Sequence, residues 1–229
     1  MGLKDEIDSE ITKILAEQWS ERDGTVVPES DNLKLSNDGI WLDATVLYAD
    51  MADSTRLVDN YKTKFAAEIY KSFLHSAAKI IRSENGEITA YDGDRIMAVF
   101  IGDAKNTAAA RAAFKINYSR IYILNPLLKA QYPKTTYQLN HVVGIDTSKV
   151  FVSRTGIRGS NDLVWVGRAA NHAAKLSALS HDFPTRIASD VYNQLNHSMI
   201  FSNGKNMWEE ATWTDMQTKI YRSTWWWSI

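Results

Sequence analysis

Apolar residues recur along this chain with two different periods, and each change of period marks a new element. Leu3, Ile7, Ile11, Ile14 and Leu15 stand three to four residues apart, the spacing of one helix face. The first ~18 residues therefore read as a short amphipathic helix that packs on the domain or on a second subunit. A polar stretch from Glu21 to Asp38, with Gly24 and Pro28, reads as a linking loop, and a domain begins near Trp41. Ala44 to Asp50 is an apolar run that ends in an acid, the pattern of a buried strand. Asp53, Ser54 and Thr55 offer N-caps for a long helix whose Tyr61, Phe65, Ile69, Phe73 and Ala77 fall four apart. Asn85-Gly86 ends that helix. Two short strands then flank Asp92-Gly93, a hairpin signal. A second helix starts near Ala104, and Tyr137 to Ile145 is the next strand. Ala109, Ala112, Ala113 and Ile116 of that second helix suggest close packing.

That order is β-α-β-β-α-β, the ferredoxin-like arrangement, and it predicts an α/β (α+β) fold. The sheet is expected to be antiparallel, with both helices on one face. Further elements follow: strands at Val150–Ser153 and Leu163–Val166, a helix over Arg168–Leu179, a small strand at Ile187 and a short helix from Ser189. The aromatic tail, closing with Trp225-Trp226-Trp227, reads as β-prone. The chain thus divides into residues 1–40, a helix and linking loop, and residues 41–229, one domain with aromatic C-terminal strands.

Composition narrows the functional classes. The 229 residues suffice for one large domain with a sizeable core. The net charge of -1 provides no basic field, so nucleic-acid binding is not expected. The absence of cysteine excludes disulfides, thiolate metal sites and Cys nucleophiles. The charged start, Met1-Gly2-Leu3-Lys4-Asp5-Glu6, does not read as a signal peptide, and no apolar run has the length of a membrane span. A cytoplasmic protein is expected.

Two aspartates carry the candidate chemistry. Asp50 ends a buried strand, and Asp94 sits in the hairpin turn Asp92-Gly93-Asp94-Arg95. Such carboxylates can converge at one sheet edge, where hard oxygen ligands suit Mg²⁺ or Mn²⁺ carrying a triphosphate. The plainer alternative is a helix cap and a turn residue. The five histidines show no metal-ligand spacing. Arg154 and Arg158 lie in a glycine-containing loop, and Lys219 and Arg222 near the last strand are further candidates for phosphate.

Three segments in this order resemble the catalytic domain of class III nucleotide cyclases. Tyr48-Ala49-Asp50-Met51-Ala52-Asp53-Ser54-Thr55 resembles the first metal strand of that family. Gly93-Asp94, followed by Ile96-Met97-Ala98-Val99-Phe100, resembles its second metal hairpin. Val166-Gly167-Arg168-Ala169-Ala170-Asn171-His172-Ala173-Ala174-Lys175 resembles the segment Gly-x-x-x-Asn-x-x-x-Arg. The resemblance implies that Asp50 and Asp94, with backbone near Met51, hold two divalent cations, Mn²⁺ or Mg²⁺. One would lower the pKa of the ribose 3′-hydroxyl, and the other would neutralise the triphosphate. It further implies that Asn171 orients the ribose. By the same resemblance Lys175, in place of the family's arginine, would stabilise charge at the phosphorus, as a point charge rather than a planar fork. It also implies a homodimer, with the aspartates of one subunit facing the Asn171 and Lys175 of the other.

The purine-reading positions depart from the family. A lysine and an aspartate read adenine in adenylate cyclases; here Ala90 and Val164 stand in those places, and neither can hydrogen-bond a base edge. The combination resembles the bacterial Pycsar pyrimidine cyclases, which make cyclic UMP or cyclic CMP in antiphage defence, with a separate effector sensing the product. Tyr48, on the same strand face as Asp50, and Arg95, next to Asp94, are then candidate base readers. An arginine donor suits the uracil O4, whereas the cytosine amine wants an acceptor, so UTP is preferred over CTP. The rival readings are a cytidylate cyclase, an adenylate cyclase and an inactive cyclase fold that binds a nucleotide.

Overall fold

The fold is built on two long antiparallel strands, and a computed structural model describes it for residues 2–229. The chain begins with α1 (Leu3–Ala16), β1 (Ser20–Asp23), β2 (Asp38–Met51), α2 (Ser54–Asn60) and α3 (Thr63–Ser83). The hairpin β3 (Glu87–Asp92) and β4 (Arg95–Phe100) follows, then α4 (Lys105–Ser119) and α5 (Asn125–Gln131). Next come β5 (His141–Ile157), β6 (Ser160–Val166), α6 (Arg168–Ser177), β7 (Thr185–Ala188), α7 (Ser189–Asn193) and α8 (His197–Ile200). The small pair β8 (Phe201–Ser202) and β9 (Lys205–Asn206) precedes β10 (Glu209–Trp213) and β11 (Thr218–Ser223).

The main sheet has nine strands in the order β10-β11-β7-β5-β2-β4-β3, with β1 added beside β2 and β6 beside β5. The β2, β3, β4 and β5 core is antiparallel, as the β-α-β-β-α-β order predicts. The additions β1 on β2 and β7 on β5 are parallel, so the complete sheet is mixed. Strand alternation in β2 sends Leu47, Ala49 and Met51 to one face, where α3 and α4 cover them. Leu42, Ala44 and Val46 face the opposite side, beneath Ala169, Ala170 and Ala173 of α6. Both helices of the ferredoxin-like core therefore lie on one face, and α6 lies on the other.

The structure corrects several expectations. The stretch read as a linking loop contains β1, which pairs with Asp38–Trp41 of β2. The long helix is two helices, because Tyr61 breaks it with an extended backbone, φ -127° and ψ 161°. Its ring stacks on Phe65 at 5.1 Å and meets Tyr137 edge-on at 5.5 Å. Burying that ring outweighs one more helical turn. The separate strands at Tyr137–Ile145 and Val150–Ser153 are one strand, β5. Its polar middle, Asp146-Thr147-Ser148, hides the continuity from a hydrophobicity pattern. Helix α5 was not anticipated; it continues from α4 through a π-helical turn at Arg120–Leu124, and Pro126 sits in its first turn, just past that irregularity. The triple tryptophan lies past β11, not in a strand, and straps across α4: Trp227 donates its N–H to the Phe114 carbonyl at 3.3 Å, and Trp226 meets Tyr118 at 5.5 Å.

Candidate active site

The two metal-candidate aspartates come together because β2 and β4 are neighbours in register. Asp50 pairs with Arg95 across the ladder, and Arg95 pairs with Asp92 of β3. Directly opposed residues share a face, so Asp92, Arg95 and Asp50 form a row across three strands. Asp94 projects from the turn beside that row. Gly93 makes the turn with φ 60°, the left-handed value wanted at the first central position of a tight hairpin. Two residue pairs deeper, Tyr48 lies opposite Met97 on the same face.

Electrostatics tie the row together. Burial, with the charge of Asp94 added, pushes the Asp50 carboxyl up to about 7, and the Arg95 charge, with a smaller contribution from the Met51 backbone N–H, partly offsets this. Two carboxylates that repel in this way are held where a cation would relieve them. Among the described residues no group of three or more His, Cys, Asp or Glu side chains converges as a metal cluster. Two carboxylates and backbone alone make a sparse protein shell. That is the donor set expected when substrate phosphates and water complete the coordination of Mg²⁺ or Mn²⁺, and the residues present fit such a site.

Arg95 donates to the Asp92 carboxylate at 2.6 Å, and this bond holds its guanidinium firmly protonated. Asp92, read as a turn residue, thus orients Arg95. The signal was available as an acid and an arginine three residues apart across a two-residue turn. Burial raises the Tyr48 phenol above its ordinary value. Ala90 packs partly buried on the face that carries Tyr48 and Met97, and Val164 is exposed on β6.

Asn171 and Lys175 lie on the exposed stripe of α6, four residues apart, above a buried side of Ala169, Ala173 and Leu176. Among the described residues neither side chain hydrogen-bonds or ion-pairs with Asp50 or Asp94. The chain therefore presents two half-sites, the carboxylate pair and the Asn171–Lys175 pair.

Other candidates are occupied elsewhere. Lys219 pairs with Glu210 at 3.0 Å, and Arg222 pairs with Glu209 while its guanidinium lies 4.0 Å over Phe183. Arg154 is held by Asn161 at 2.7 Å and by Asp31, whereas Arg158 is exposed in its loop. Asp53 occupies an N-cap position but makes no side-chain cap; its backbone is left-handed and its carboxylate lies 3.8 Å from His181. His141 is buried, and burial, with the nearby Arg120 charge added, drops its imidazole to about 3, so it is a neutral core residue. No helix among the described residues is long and apolar enough to cross a membrane.

Comparison with known proteins bears on this arrangement. No family model matches the chain. It is 51% identical over 231 residues to a protein from Xanthomonas perforans named uridylate cyclase, covering 100% of both chains. A uridylate cyclase from Burkholderia cepacia is 48% identical with the same coverage, and one from Rhodovulum sp. (strain MB263) is 38% identical over 99% of this chain and 98% of that one. Among solved structures, a bacterial light-regulated adenylyl cyclase matches with TM-score 0.69 and 18% identity over 81% of this chain and 52% of that chain. The adenylyl cyclase CyaB from P. aeruginosa matches with TM-score 0.66 and 20% identity, over 81% of this chain and 95% of that one. The guanylyl cyclase Cya2 matches with TM-score 0.68 and 16% identity, over 81% of this chain and 93% of that one. At these identities the structural likeness establishes the fold, and the near-full-length relatives establish the family. The chain is a nucleotide cyclase on the class III cyclase fold, and it belongs to the bacterial uridylate cyclase family.

Proposed function

We propose that the protein converts UTP to 3′,5′-cyclic UMP and pyrophosphate at a site completed by a second copy of the chain. The observation that carries this reading is the Asp92–Arg95–Asp50 row, in which an oriented arginine stands beside the metal carboxylates where purine readers are missing. With one nitrogen engaged by Asp92, Arg95 keeps further N–H donors for the carbonyl oxygens of a uracil. Tyr48, two pairs deeper, fills space that a purine ring would need.

Asp50, Asp94 and the backbone at Met51 would hold the divalent cations. When bound, these lower the pKa of the ribose 3′-hydroxyl and neutralise the triphosphate. Asn171 orients the ribose so that its 3′-oxygen attacks the α-phosphorus in line. Lys175 offsets the negative charge that builds on the phosphoryl oxygens and on the departing pyrophosphate. Both residues come from the partner. That neither side chain has a hydrogen-bond or ion-pair partner among the described residues supports this, as does the partial exposure of Tyr48, Asp50 and Arg95 on a sheet face that α6 covers only in part. The product would act in the cytoplasm as a second messenger in antiphage defence, read by a separate effector protein.

The test is to incubate the purified protein with UTP, CTP, ATP and GTP separately, with Mn²⁺, and to identify products by mass. Cyclic UMP as the dominant product is expected. Dominant cyclic CMP or cyclic AMP would overturn the reading of Arg95 and Tyr48. Absence of any product would favour an inactive nucleotide-binding fold.

A further inference from the structure

Asp146 is fully buried, and the chemistry above makes no use of it. It stands in the middle of β5, opposite Val46 of β2. One of its oxygens accepts the Thr147 N–H at 2.7 Å. The other lies 3.2 Å from His172 Nδ1 and 3.4 Å from Arg168 Nε, aligned for a hydrogen bond with neither. Both of those side chains belong to α6. Arg168 also donates to the Thr147 carbonyl at 2.7 Å and pairs with Asp190. Ser148, the next strand residue, accepts the Ala169 N–H on its hydroxyl at 3.0 Å. Three consecutive residues of β5 thus grip the first turns of α6.

Stability is a weak reason for this arrangement. Burial raises the Asp146 carboxyl above its ordinary value, and an apolar side chain would fill the same place without that cost. The rest of the α6 seat explains what the charge adds. Ala169, Ala170 and Ala173 line the underside of the helix, and a Cβ placed on Gly144 would come within 2.2 Å of the Ala173 carbonyl oxygen. Backbone lies almost on backbone there. So smooth a seat sets the height of the helix, but it has few ridges to fix rotation or sliding. The Asp146 charge, drawing on two α6 cations or donors, supplies the missing constraint. Asn171 and Lys175 ride on the outer stripe of that same helix.

We propose that Asp146, acting through His172 and Arg168, is a positioning residue that sets the register of α6 and so the placement of Asn171 and Lys175 at the reacting phosphate. This rests on the reading of those two residues given above.

The test compares Asp146→Asn, Lys175→Ala and the double variant in steady-state turnover of UTP. Asp146→Asn keeps the volume and removes the charge. It should lower kcat about 10- to 100-fold, the scale of an ångström-sized misplacement, with KM nearly unchanged. Because Asp146 acts through α6, on Lys175 as well as Asn171, the two losses should combine less than multiplicatively: the double variant should be slower than Lys175→Ala alone by clearly less than the factor that Asp146→Asn costs in the wild type. Wild-type kcat in Asp146→Asn, a loss carried in KM, or fully multiplicative losses would overturn the proposal. If Lys175→Ala itself retains full activity, the site assignment fails, which separates that failure from one of positioning. Should Asp146→Asn not fold, His172→Gln removes the partly exposed arm of the grip, and the same non-additivity is required of it.

Discussion

Asp50 and His141 stand near each other across β2 and β5, and their linkage to pH has opposite signs. His141 titrates at about 3 in the folded protein against 6.5 in the unfolded chain. As pH falls below 6.5 the unfolded chain takes up a proton that the folded protein refuses, so stability is lost at up to about 1.4 kcal/mol per pH unit. Asp50 titrates at about 7 when folded, against 3.8 unfolded. In that window the folded protein takes up the proton first, so stability rises as pH falls, by less than about 1.4 kcal/mol per unit because the group is partly exposed. The two effects oppose each other between pH 6.5 and 3.8. In metal-free protein, Asp50→Asn should therefore steepen acid destabilisation, and His141→Phe should flatten it. Urea midpoints at several pH values check this; equal slopes in wild type and both variants would contradict it. In turnover, Arg95→Ala should lower kcat/KM for UTP about 10- to 100-fold while affecting CTP less, the discrimination expected of an arginine on a base carbonyl. The chemistry-bearing residues were legible in the sequence because strand ends and turn residues show themselves locally. Asp146 was not, since its role depends on a helix more than twenty residues further along the chain.

At the scale of elements, the amphipathic core was readable and the interruptions were not. Phe65, Ile69, Phe73 and Ala77 keep helical spacing through α3, and the hairpin is announced by Asp92-Gly93. Strand β5 was hidden by its polar centre, which lies under α6 and accepts hydrogen bonds from the Arg168 side chain and the Ala169 N–H. The aromatic tail has strand-like composition, yet Asn117 bonds the carbonyls of Thr224 at 3.1 Å and Trp225 at 3.0 Å and turns it into a strap over α4. Trp227→Ala should then cost about 2–3 kcal/mol through lost packing on Phe114, and Trp226→Ala, on the exposed side, less. Chemical denaturation reads both values; equal losses would contradict the strap. Gly144→Ala should lift α6 off its seat, costing about 1–3 kcal/mol and slowing turnover.

The whole molecule leaves surface uncovered. Leu3 is 74% exposed and Leu15 is 81% exposed, and no residue of α1 is buried, although Asn37 ties the helix end to the domain through the Ile14 carbonyl at 2.8 Å. The sequence announced that apolar stripe without saying what covers it. The same holds for the two half-sites, which the order of motifs revealed but whose joining depends on a second chain. The measurement that tests the composite site most directly mixes Asp50→Asn with Lys175→Ala. Each variant alone should retain only a small, measurable fraction of wild-type turnover, on the order of a hundredth. Random pairing makes half the dimers mixed, each with one intact site of two, so the mixture should recover about a quarter of wild-type turnover. Activity no greater than the sum of the separate variants would mean that the carboxylates and Lys175 do not meet across two subunits.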